Sequence, residues 1–297
     1  MKKFFEVNIK YLDSRYDFEV VRPSSLDYPL SNSVMFILSK YIAKASILDT
    51  VHECVIYWPL EHKVPENLKQ KNLIIPVLAP RLEFCRFFQT HQIQNLPTLC
   101  DYEYKNGSFI SKQATLGKNV QIMPGASIGD EVIIGDDVYI GSGSKIVGRV
   151  EIGNHVIIRE NTVIGADGLT TDTDTDGMII SMPQFGGVVI EDDVTIGSNT
   201  TIARGAINDT YIARGCKIDN HVFISHNTKL GKNNIIVGQT ILFGSVTTGD
   251  NVYISGNATI RNQLHIGNRA IIGMGSVVTR DVEENVCVLG NPAKVRK

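Results

Sequence analysis

One hydrophobic pattern runs through most of the chain, from Ala114 to Val278. An aliphatic residue stands at every sixth position over long stretches, and a small or β-branched residue follows most of them four positions later. The rhythm is interrupted twice, by a long excursion after Ile164 and by four extra residues after Ile202. Only Thr248 among the periodic positions is not Leu, Ile or Val. The positions are Leu116, Ile122, Ile128, Ile134, Ile140, Ile146, Ile152, Ile158, Ile164, Ile190, Ile196, Ile202, Ile212, Ile218, Ile224, Leu230, Ile236, Leu242, Thr248, Ile254, Ile260, Ile266, Ile272 and Val278.

A period of six matches neither the 3.6-residue repeat of a helix nor the simple alternation of a strand. It is typical of a parallel β-helix built from hexapeptides. Three hexapeptides make one triangular coil, so the 24 periodic positions predict eight coils. Successive coils pair their backbones about 4.8 Å apart, with the aliphatic side chains filling the interior. The predicted fold class is therefore mainly β.

Residues 1–108 lack the six-residue period and predict a small α/β domain, because apolar runs of strand length alternate with helical spacing. This domain is either a packing and oligomerisation unit or, in the sharper interpretation, a substrate-binding domain. Its predicted elements are a helix over Ser33–Leu48, strands at Cys54–Trp58 and Leu73–Leu78, and a helix over Arg81–Thr90 that Pro80 opens.

The excursion at 165–187 interrupts the β-helix, which is predicted to span 109–280 and to be followed by a tail at 281–297. The excursion contains four aspartates, but their spacing lacks the glycine and terminal glutamate of a calcium loop. It is therefore predicted to be a solvated loop. Its last part, Met182–Gly187, is expected to fold back over a neighbouring surface.

Charge and composition exclude several classes of function. The net charge of −2 gives no reason to expect broad nucleic-acid binding. No apolar run reaches membrane-spanning length, and the N-terminus lacks the apolar region of a signal peptide. The five cysteines form no CxxC pair, which fits a reducing cytoplasm and predicts no metal site.

One histidine stands out as a candidate for chemistry. His226 follows Ile224 by two residues, at a corner of the coil, so its side chain points outward. The four-residue insertion brings Ile202 and Ile224 into the same stack, which places Arg204 one coil below His226.

By the same register, Gly244 lies one coil above the histidine and Asn262 one coil above that. The bare glycine leaves an open slot beside the ring. Asp219, on the preceding side of the coil, is the nearest candidate to orient it. A histidine in such a slot can act as a general base, removing a proton from an amine or hydroxyl that attacks a thioester. Backbone N–H groups around Gly244 are expected to stabilise the oxyanion.

Several runs of residues resemble a known family, the left-handed β-helix acyltransferases, and within it the N-acyltransferases of lipid A biosynthesis, which act on the glucosamine amine of a UDP-sugar. The positions of the insertions agree as well as the rhythm, over residues 100–260. The runs are Ile164-Gly165-Ala166-Asp167-Gly168, Gln184-Phe185-Gly186-Gly187-Val188-Val189-Ile190, Asn199-Thr200-Thr201-Ile202, Arg204-Gly205-Ala206, Lys217-Ile218-Asp219-Asn220 and Ser225-His226-Asn227.

The resemblance implies a left-handed β-helix, with His226 as the catalytic base and Asp219 supporting it. It further implies a homotrimer with sites in the grooves between subunits. The N-terminal domain is similar to the uridine-binding domain of that family, where Phe36 and Tyr41 fall near the base-stacking aromatics. The residues expected to line the substrate site are Phe36, Tyr41, Gln184, Phe185, Arg204, Asn227 and Gln239.

Two features depart from the lipid A enzymes. Their second functional histidine, in an Asn-Gly-His turn, is replaced here by Arg261-Asn262-Gln263. The C-terminus, with the loop Asn291-Pro292-Ala293-Lys294, instead is similar to sugar acetyltransferases that use acetyl-CoA. The basic residues at this end, which suit the phosphates of CoA, are Arg280, Lys294, Arg296 and Lys297.

The sequence therefore predicts an N-acyltransferase, with acetyl-CoA favoured as donor and a nucleotide-linked amino sugar bound between the two domains. Gly244, Asn262, Arg280 and Lys294 are expected to border the donor. The alternative is the lipid A enzyme itself, with a hydroxyacyl group on acyl carrier protein. A zinc carbonic anhydrase on the same fold lacks its third histidine, since only His221 and His226 have suitable spacing. A non-catalytic scaffold is the remaining hypothesis.

Overall fold

The computed structural model describes residues 2–96 and 101–296. These residues form two compact units. The α/β unit comprises residues 2–96 and 169–185, and the β-helix unit comprises residues 101–168 and 186–296. In the part of the chain that the structure describes, no helix is both long enough and apolar enough to cross a membrane.

The β-helix unit is a triangular coil with three faces, each a sheet of parallel strands apart from one antiparallel strand at the end of face 2 and one at the start of face 3. Face 1 has eight strands: Thr115–Leu116, Val132–Ile134, Val150–Ile152, Val188–Ile190, Thr210–Ile212, Lys229–Leu230, Thr247–Thr248 and His265–Ile266. Face 2 has ten: Gln121–Ile122, Tyr139–Ile140, Ile157–Ile158, Thr195–Ile196, Lys217–Ile218, Ile235–Ile236, Tyr253–Ile254, Ile271–Ile272, Cys287–Leu289 and Lys294–Val295. Face 3 has ten: Tyr102–Lys105, Ser108–Ser111, Ser127–Ile128, Lys145–Ile146, Val163–Ile164, Thr201–Ile202, Phe223–Ile224, Ile241–Leu242, Thr259–Ile260 and Val277–Val278.

The periodic aliphatic residues form the core of this coil, as predicted. All of them are buried except Leu116 and Ile122, which lie in the first coil at the open end. Each stacks on its counterpart in the next coil, and the stacks continue across both interruptions, pairing Ile152 with Ile190 and Ile202 with Ile224. Inward stacking of branched aliphatics removes their surfaces from water in every coil, which is the main stabilising contribution to such a fold.

Thr248 is the polar exception and is also buried. Its hydroxyl oxygen accepts from the backbone N–H of Gly231 at 3.0 Å and lies 2.5 Å from Nδ2 of Asn234. Asn234 is fully buried, and its Oδ1 accepts from the N–H of Val252. The interior is therefore interrupted at this level by a satisfied polar pair.

The α/β unit contains a four-stranded parallel sheet, as alternating strands and helices predict. The sheet strands are Arg22–Pro23, Ser33–Phe36, Val55–Pro59 and Leu73–Val77, and a separate antiparallel pair joins Val7–Asn8 to Glu19–Val20. The helices are two 3₁₀ segments, Ile9–Tyr11 and Ser39–Thr50, and two α-helices, Glu66–Lys69 and Pro80–Thr90.

The predicted helix over Ser33–Leu48 is wrong. Its first four residues are a strand that pairs with Val55–Pro59 in the sheet, and the rest falls in the 3₁₀ segment. Ser33, Val34 and Met35 are all buried. A strand in the sheet interior is buried on both faces and reads as a continuous apolar run, which periodicity alone cannot distinguish from a helix.

The excursion after Gly168 is ordered, which corrects the prediction of a solvated loop. It forms a hairpin of Thr171–Thr173 and Ile179–Ser181 that belongs to the α/β unit. The guanidinium of Arg81 donates to Oδ2 of Asp172 at 3.2 Å and to the carbonyl of Thr171 at 2.9 Å. These bonds to the Pro80–Thr90 helix hold the hairpin in place.

The unit boundaries differ from the predicted ones in two further respects. Residues 101–108 belong to the β-helix unit, because Tyr102–Lys105 pairs with Ser108–Ser111 in face 3. Residues 281–296 are not a separate tail, since their two strands continue face 2 beyond Ile271–Ile272.

Candidate functional site

The corner between faces 3 and 1, here called the His226 edge, carries the residues that the register predicted. Ile224 pairs with Ile202 below and with Leu242 above, so Arg204 and Gly244 flank His226 along the edge. The N–H of Ser245 donates to the carbonyl of His226. In the next coil, the N–H of Gln263 donates to the carbonyl of Gly244 in the same way. The predicted stacking is confirmed.

The imidazole ring of His226 lies between two glycines. A Cβ added to Gly244 would come within 2.6 Å of Nε2, and one added to Gly168 would come within 3.1 Å of Cδ2. Any larger side chain at either position would displace the ring. Gly168 had no predicted role, because it follows the break in the six-residue period and its neighbours cannot be read from register.

Asn227 orients the ring. Nδ1 of His226 lies 3.0 Å from Oδ1 of Asn227, and the same oxygen accepts from the backbone N–H of Ala206 at 3.0 Å. The Nδ2 group of Asn227 donates to the carbonyl of Asn208 at 2.8 Å. These two backbone partners fix which end of the carboxamide is oxygen. Nδ1 must therefore carry the proton, and Nε2 presents its lone pair beside Gly244.

This arrangement bears on two predicted site residues. Asn227, which is expected to line the substrate site, holds His226. Asp219 does not orient the ring of its own chain, since its carboxylate accepts from the N–H groups of Asn220 at 2.8 Å and Gly238 at 3.1 Å. It lies with Gln239 on the corner between faces 2 and 3, here called the second edge.

Arg204 lies beneath His226 but is only 5% exposed, so it does not present its guanidinium to solvent as a substrate-binding residue would. Its Nε donates to the carbonyl of Gly186 at 2.7 Å, and a terminal nitrogen lies 3.9 Å from the Asp167 carboxylate. Burial lowers the pKa of Arg204 and raises that of Asp167, with the attraction between the two opposing both shifts. The pair is mainly structural, because the buried cation supports the chain that carries Gly168.

Two more predicted substrate residues are interior ones. Gln184 and Phe185 are each 1% exposed within the α/β unit. The Phe185 ring packs edge-on against Phe4 at a centroid distance of 5.3 Å and against Phe88 at 5.1 Å. These contacts join distant parts of the chain, so local sequence could not reveal that the residues belong to a core.

Phe36 and Tyr41 do lie near a surface feature of the α/β unit. Phe36 ends a sheet strand and packs on Phe84, whereas the Tyr41 ring is 40% exposed, with the ammonium of Lys40 4.8 Å from its centroid. The intervening residues Leu38 and Ser39 help to line a cavity of about 450 Å³, which also reaches the start of the Pro80–Thr90 helix. It lies outside the carboxyl ends of parallel strands, the usual place for ligands in such sheets.

The predicted donor residues divide between two places. Asn262 and Arg280 follow Gly244 along the His226 edge, where Leu242, Ile260 and Val278 stack in register, and both side chains are exposed. Lys294 belongs to the last strand of face 2 instead, with Arg296 beyond it. Lys297 lies outside the described residues.

No group of three His, Cys, Asp or Glu side chains suited to a metal ion occurs within residues 2–96 and 101–296. His221, the second histidine of the carbonic anhydrase hypothesis, lies on the second edge, whereas His226 lies across face 3 from it. The two do not converge on one point.

Comparison with known proteins agrees with this geometry. The family described as bacterial transferase hexapeptide (six repeats) matches residues 113–148, 131–166 and 245–280. A second, the hexapeptide repeat of succinyl-transferase, matches residues 187–226 and so ends at the candidate base.

Two curated relatives and one solved structure extend the comparison. The UDP-3-O-acylglucosamine N-acyltransferase of Methylobacterium nodulans is 42% identical over 47% of this chain and 39% of its own length. The protein of the same name from Coxiella burnetii is 36% identical over 67% of this chain and 63% of its own length. The UDP-N-acetylglucosamine acyltransferase from Campylobacter jejuni superposes with a TM-score of 0.58 at 26% identity, over 65% of this chain and 73% of that structure.

The chain carries the hexapeptide repeats of bacterial transferases and is similar to the left-handed β-helix acyltransferases. Within them it is similar to the UDP-3-O-acylglucosamine N-acyltransferases, which confirms the resemblance predicted from the sequence. The matched stretch spans less than two thirds of the relatives' own lengths, 39% in the first and 63% in the second.

Proposed function

We propose that this protein transfers an acyl group from a thioester to the amine of a UDP-linked 3-O-acylglucosamine, with His226 as general base. The observation that carries the proposal is the histidine slot, in which Nε2 is unprotonated and faces a bare glycine. The printed name of the relatives supports the acceptor, and it favours the lipid A alternative over the acetyl-CoA hypothesis.

The chemistry follows from the tautomer. The amine nitrogen attacks the thioester carbonyl, and Nε2 of His226 takes the amine proton as the carbon–nitrogen bond forms. The tetrahedral intermediate then expels the thiolate, which takes the proton from the imidazolium as the carbon–sulfur bond breaks. The N–H of Gly244 is the proposed oxyanion donor, since Gly244 is buried next to Nε2.

The surface beside His226 supports a donor with a long acyl chain. We propose that acyl carrier protein carries this chain as its thioester. Phe223 is 37% exposed and Phe243 is 44% exposed, and both adjoin the corner that carries the histidine. Ile241 lies between them on face 3, stacked on Phe223. Such an apolar strip stabilises a hydrocarbon chain at about 0.8 kcal/mol for each methylene that it shields from water, and an acetyl group would not use it.

We assign the nucleotide to the α/β unit. The cavity at the carboxyl ends of its strands has the exposed Tyr41 ring nearby for a base and the ammonium of Lys40 for phosphates. The roles proposed for Phe36 and Tyr41 in stacking the base rest on this location. Arg280, which lies on the His226 edge, is proposed to meet the phosphate of the donor's pantetheine arm, and Lys294 on face 2 is left without this role.

A homotrimer is part of the proposal. Asp219 and Gln239 lie on the second edge, across face 3 from His226, so they can serve the same site only if the second edge of another copy lies beside it. Face 2 supports this with an exposed apolar column of Ile235, Tyr253 and Ile271, each directly above the last. A ring of three identical copies closes such a contact.

Mixed oligomers test the shared site. Co-expressed His226→Ala and Gln239→Ala chains form some sites with both residues intact, so activity should reappear although each variant alone is impaired. No recovery in verified mixed trimers would show that each chain builds its site alone.

The donor and acceptor are tested together by following thiol release. The purified protein is given 3-hydroxyacyl acyl carrier protein or acetyl-CoA, each with UDP-3-O-acylglucosamine or an unacylated UDP-amino sugar. Release is expected with the carrier protein and the 3-O-acylated sugar, at least about tenfold faster than with acetyl-CoA. Equal or faster turnover with acetyl-CoA would restore the acetyltransferase hypothesis. If none of the four donor–acceptor pairs gives thiol release, the proposal is overturned.

A further inference from the structure

The four-residue insertion after Ile202 interrupts the repeat at the His226 edge. It occupies residues 206–209. Hydrogen bonds join it to the coil beneath it and to Asn227. Irregular segments in compact folds are commonly functional. Its contacts indicate what this segment does.

Two groups from this segment and one from the strand that follows it hold Asn227. The N–H of Ala206 donates to its Oδ1, the carbonyl of Asn208 accepts from its Nδ2, and the hydroxyl oxygen of Thr210 accepts from its backbone N–H at 2.9 Å. Thr210 is fully buried. The carboxamide and the backbone of Asn227 are therefore both fixed from outside its own coil.

The segment is itself anchored from below by Asp209. One guanidinium nitrogen of Arg149 donates to Oδ2 of Asp209 at 3.0 Å, and the N–H of Gly187 donates to Oδ1 at 2.7 Å. Half-buried ion pairs with two such donors are stronger than exposed ones. A continuous path of bonds thus runs from Arg149 through the insertion to Asn227 and His226.

We propose that the insertion, together with the first residue of the strand that follows it, is a positioning element that fixes the tautomer of His226, with Asp209 and Thr210 as the positioning residues. They touch neither substrate nor the reacting nitrogen, and they act through Asn227. Without them, the insertion and the backbone of Asn227 can shift relative to one another, so Ala206 and Asn208 no longer fix the carboxamide, and the imidazole can carry its proton on Nε2, where the lone pair is needed. The role of His226 as a base rests on the proposed function. The fixing of its tautomer by the insertion does not depend on that function.

The test uses a readout that needs no turnover. Diethyl pyrocarbonate acylates an unprotonated imidazole nitrogen, and peptide mass spectrometry follows His226 alone. Thr210→Val should slow its modification at neutral pH by about threefold or more, because the reactive Nε2 lone pair is present only part of the time. Thr210→Ser, which keeps the hydroxyl, should restore the wild-type rate.

Ser144→Ala is the matched control. Ser144 is another buried hydroxyl that accepts a backbone N–H, from Thr162 at 3.2 Å, at a corner several coils away. Ser144→Ala should leave the rate of His226 modification unchanged, although it lowers the free energy of unfolding about as much as Thr210→Val does. In turnover, Thr210→Val should lower kcat about tenfold with KM within about twofold, as expected for a misplaced base.

Asn227→Asp keeps the positioning test informative even where Thr210→Val fails to fold. A carboxylate at this position stabilises the imidazolium, so the pH at which His226 becomes reactive should rise by about one unit. Equal modification rates in wild type, Thr210→Val and Asn227→Asp at every pH would overturn the inference. Absence of turnover in the wild type, with these differences present, would instead count against the proposed function alone.

Discussion

Gly244 lies directly above His226, and its missing side chain leaves the space in which Nε2 is exposed. A Cβ there would come within 2.5 Å of Cε1 and 2.6 Å of Nε2. This contact joins the two observations that define the site, because the glycine that opens the slot adjoins the nitrogen that the tautomer leaves free.

Gly244→Ala is therefore expected to impair catalysis without unfolding the coil. The added methyl must push the ring aside, and a displacement of about 1 Å costs roughly 100-fold in kcat/KM. The measurement is steady-state kinetics on protein whose thermal midpoint has been checked.

Gly129→Ala is the control, since Gly129 occupies the His226 edge in a lower coil and its added Cβ would meet nothing closer than 3.4 Å. It should change kcat/KM by less than twofold. A Gly244→Ala enzyme that is as active as Gly129→Ala would mean that the slot is not used.

The polar pair inside the coil makes a prediction about stability. Thr248→Val removes the acceptor for the N–H of the partly buried Gly231 and a partner of the fully buried Asn234, so the free energy of unfolding should fall by about 1–3 kcal/mol. The same change at the adjacent Thr247, whose side chain points outward to His265, should cost less than about 0.5 kcal/mol. Urea unfolding midpoints compare the two, and equal losses would show that the buried hydroxyl is not needed.

Cysteine reactivity tests the fold independently of activity. Burial raises the pKa of the Cys85 and Cys216 thiols to about 11, so little thiolate is present at pH 8. Cys287 is partly exposed in the last coil and should be alkylated by iodoacetamide at least about tenfold faster than either. Peptide mass spectrometry assigns each site, and rapid labelling of Cys216 in native protein would mean that the coil interior is open.

The β-helix could be predicted in detail because each position in it depends on residues a fixed distance away in sequence. Ile202 and Ile224 stack as counting predicted, despite ten residues separating Ile202 from the next periodic position. The same counting placed Arg204 and Gly244 correctly. Counting could not predict how deeply the Arg204 side chain is buried. That burial depends on its bond to the carbonyl of Gly186, which follows the excursion in sequence.

The failures share a different cause. Gln184 and Phe185 lie in a motif that resembles a substrate site, yet Phe185 packs with Phe4 and Phe88 from distant parts of the chain. By register, Asp219 is the carboxylate nearest to His226. Instead Asn227, the next residue in the chain, contacts Nδ1 of His226, because the insertion holds its carboxamide in place. Non-local packing and irregular loops are invisible to periodicity, so counting predicted the neighbours of His226 along its edge but not the contacts of Phe185 and Asn227.

The most direct test of the account is the rate of acyl transfer by His226→Ala, measured as thiol release from 3-hydroxyacyl acyl carrier protein with UDP-3-O-acylglucosamine. If His226 is the general base, kcat should fall by about 100-fold or more, with the thermal midpoint unchanged because the side chain faces an open slot. Loss of less than about tenfold would contradict the central claim, since a base at Nε2 contributes more than that to such a reaction.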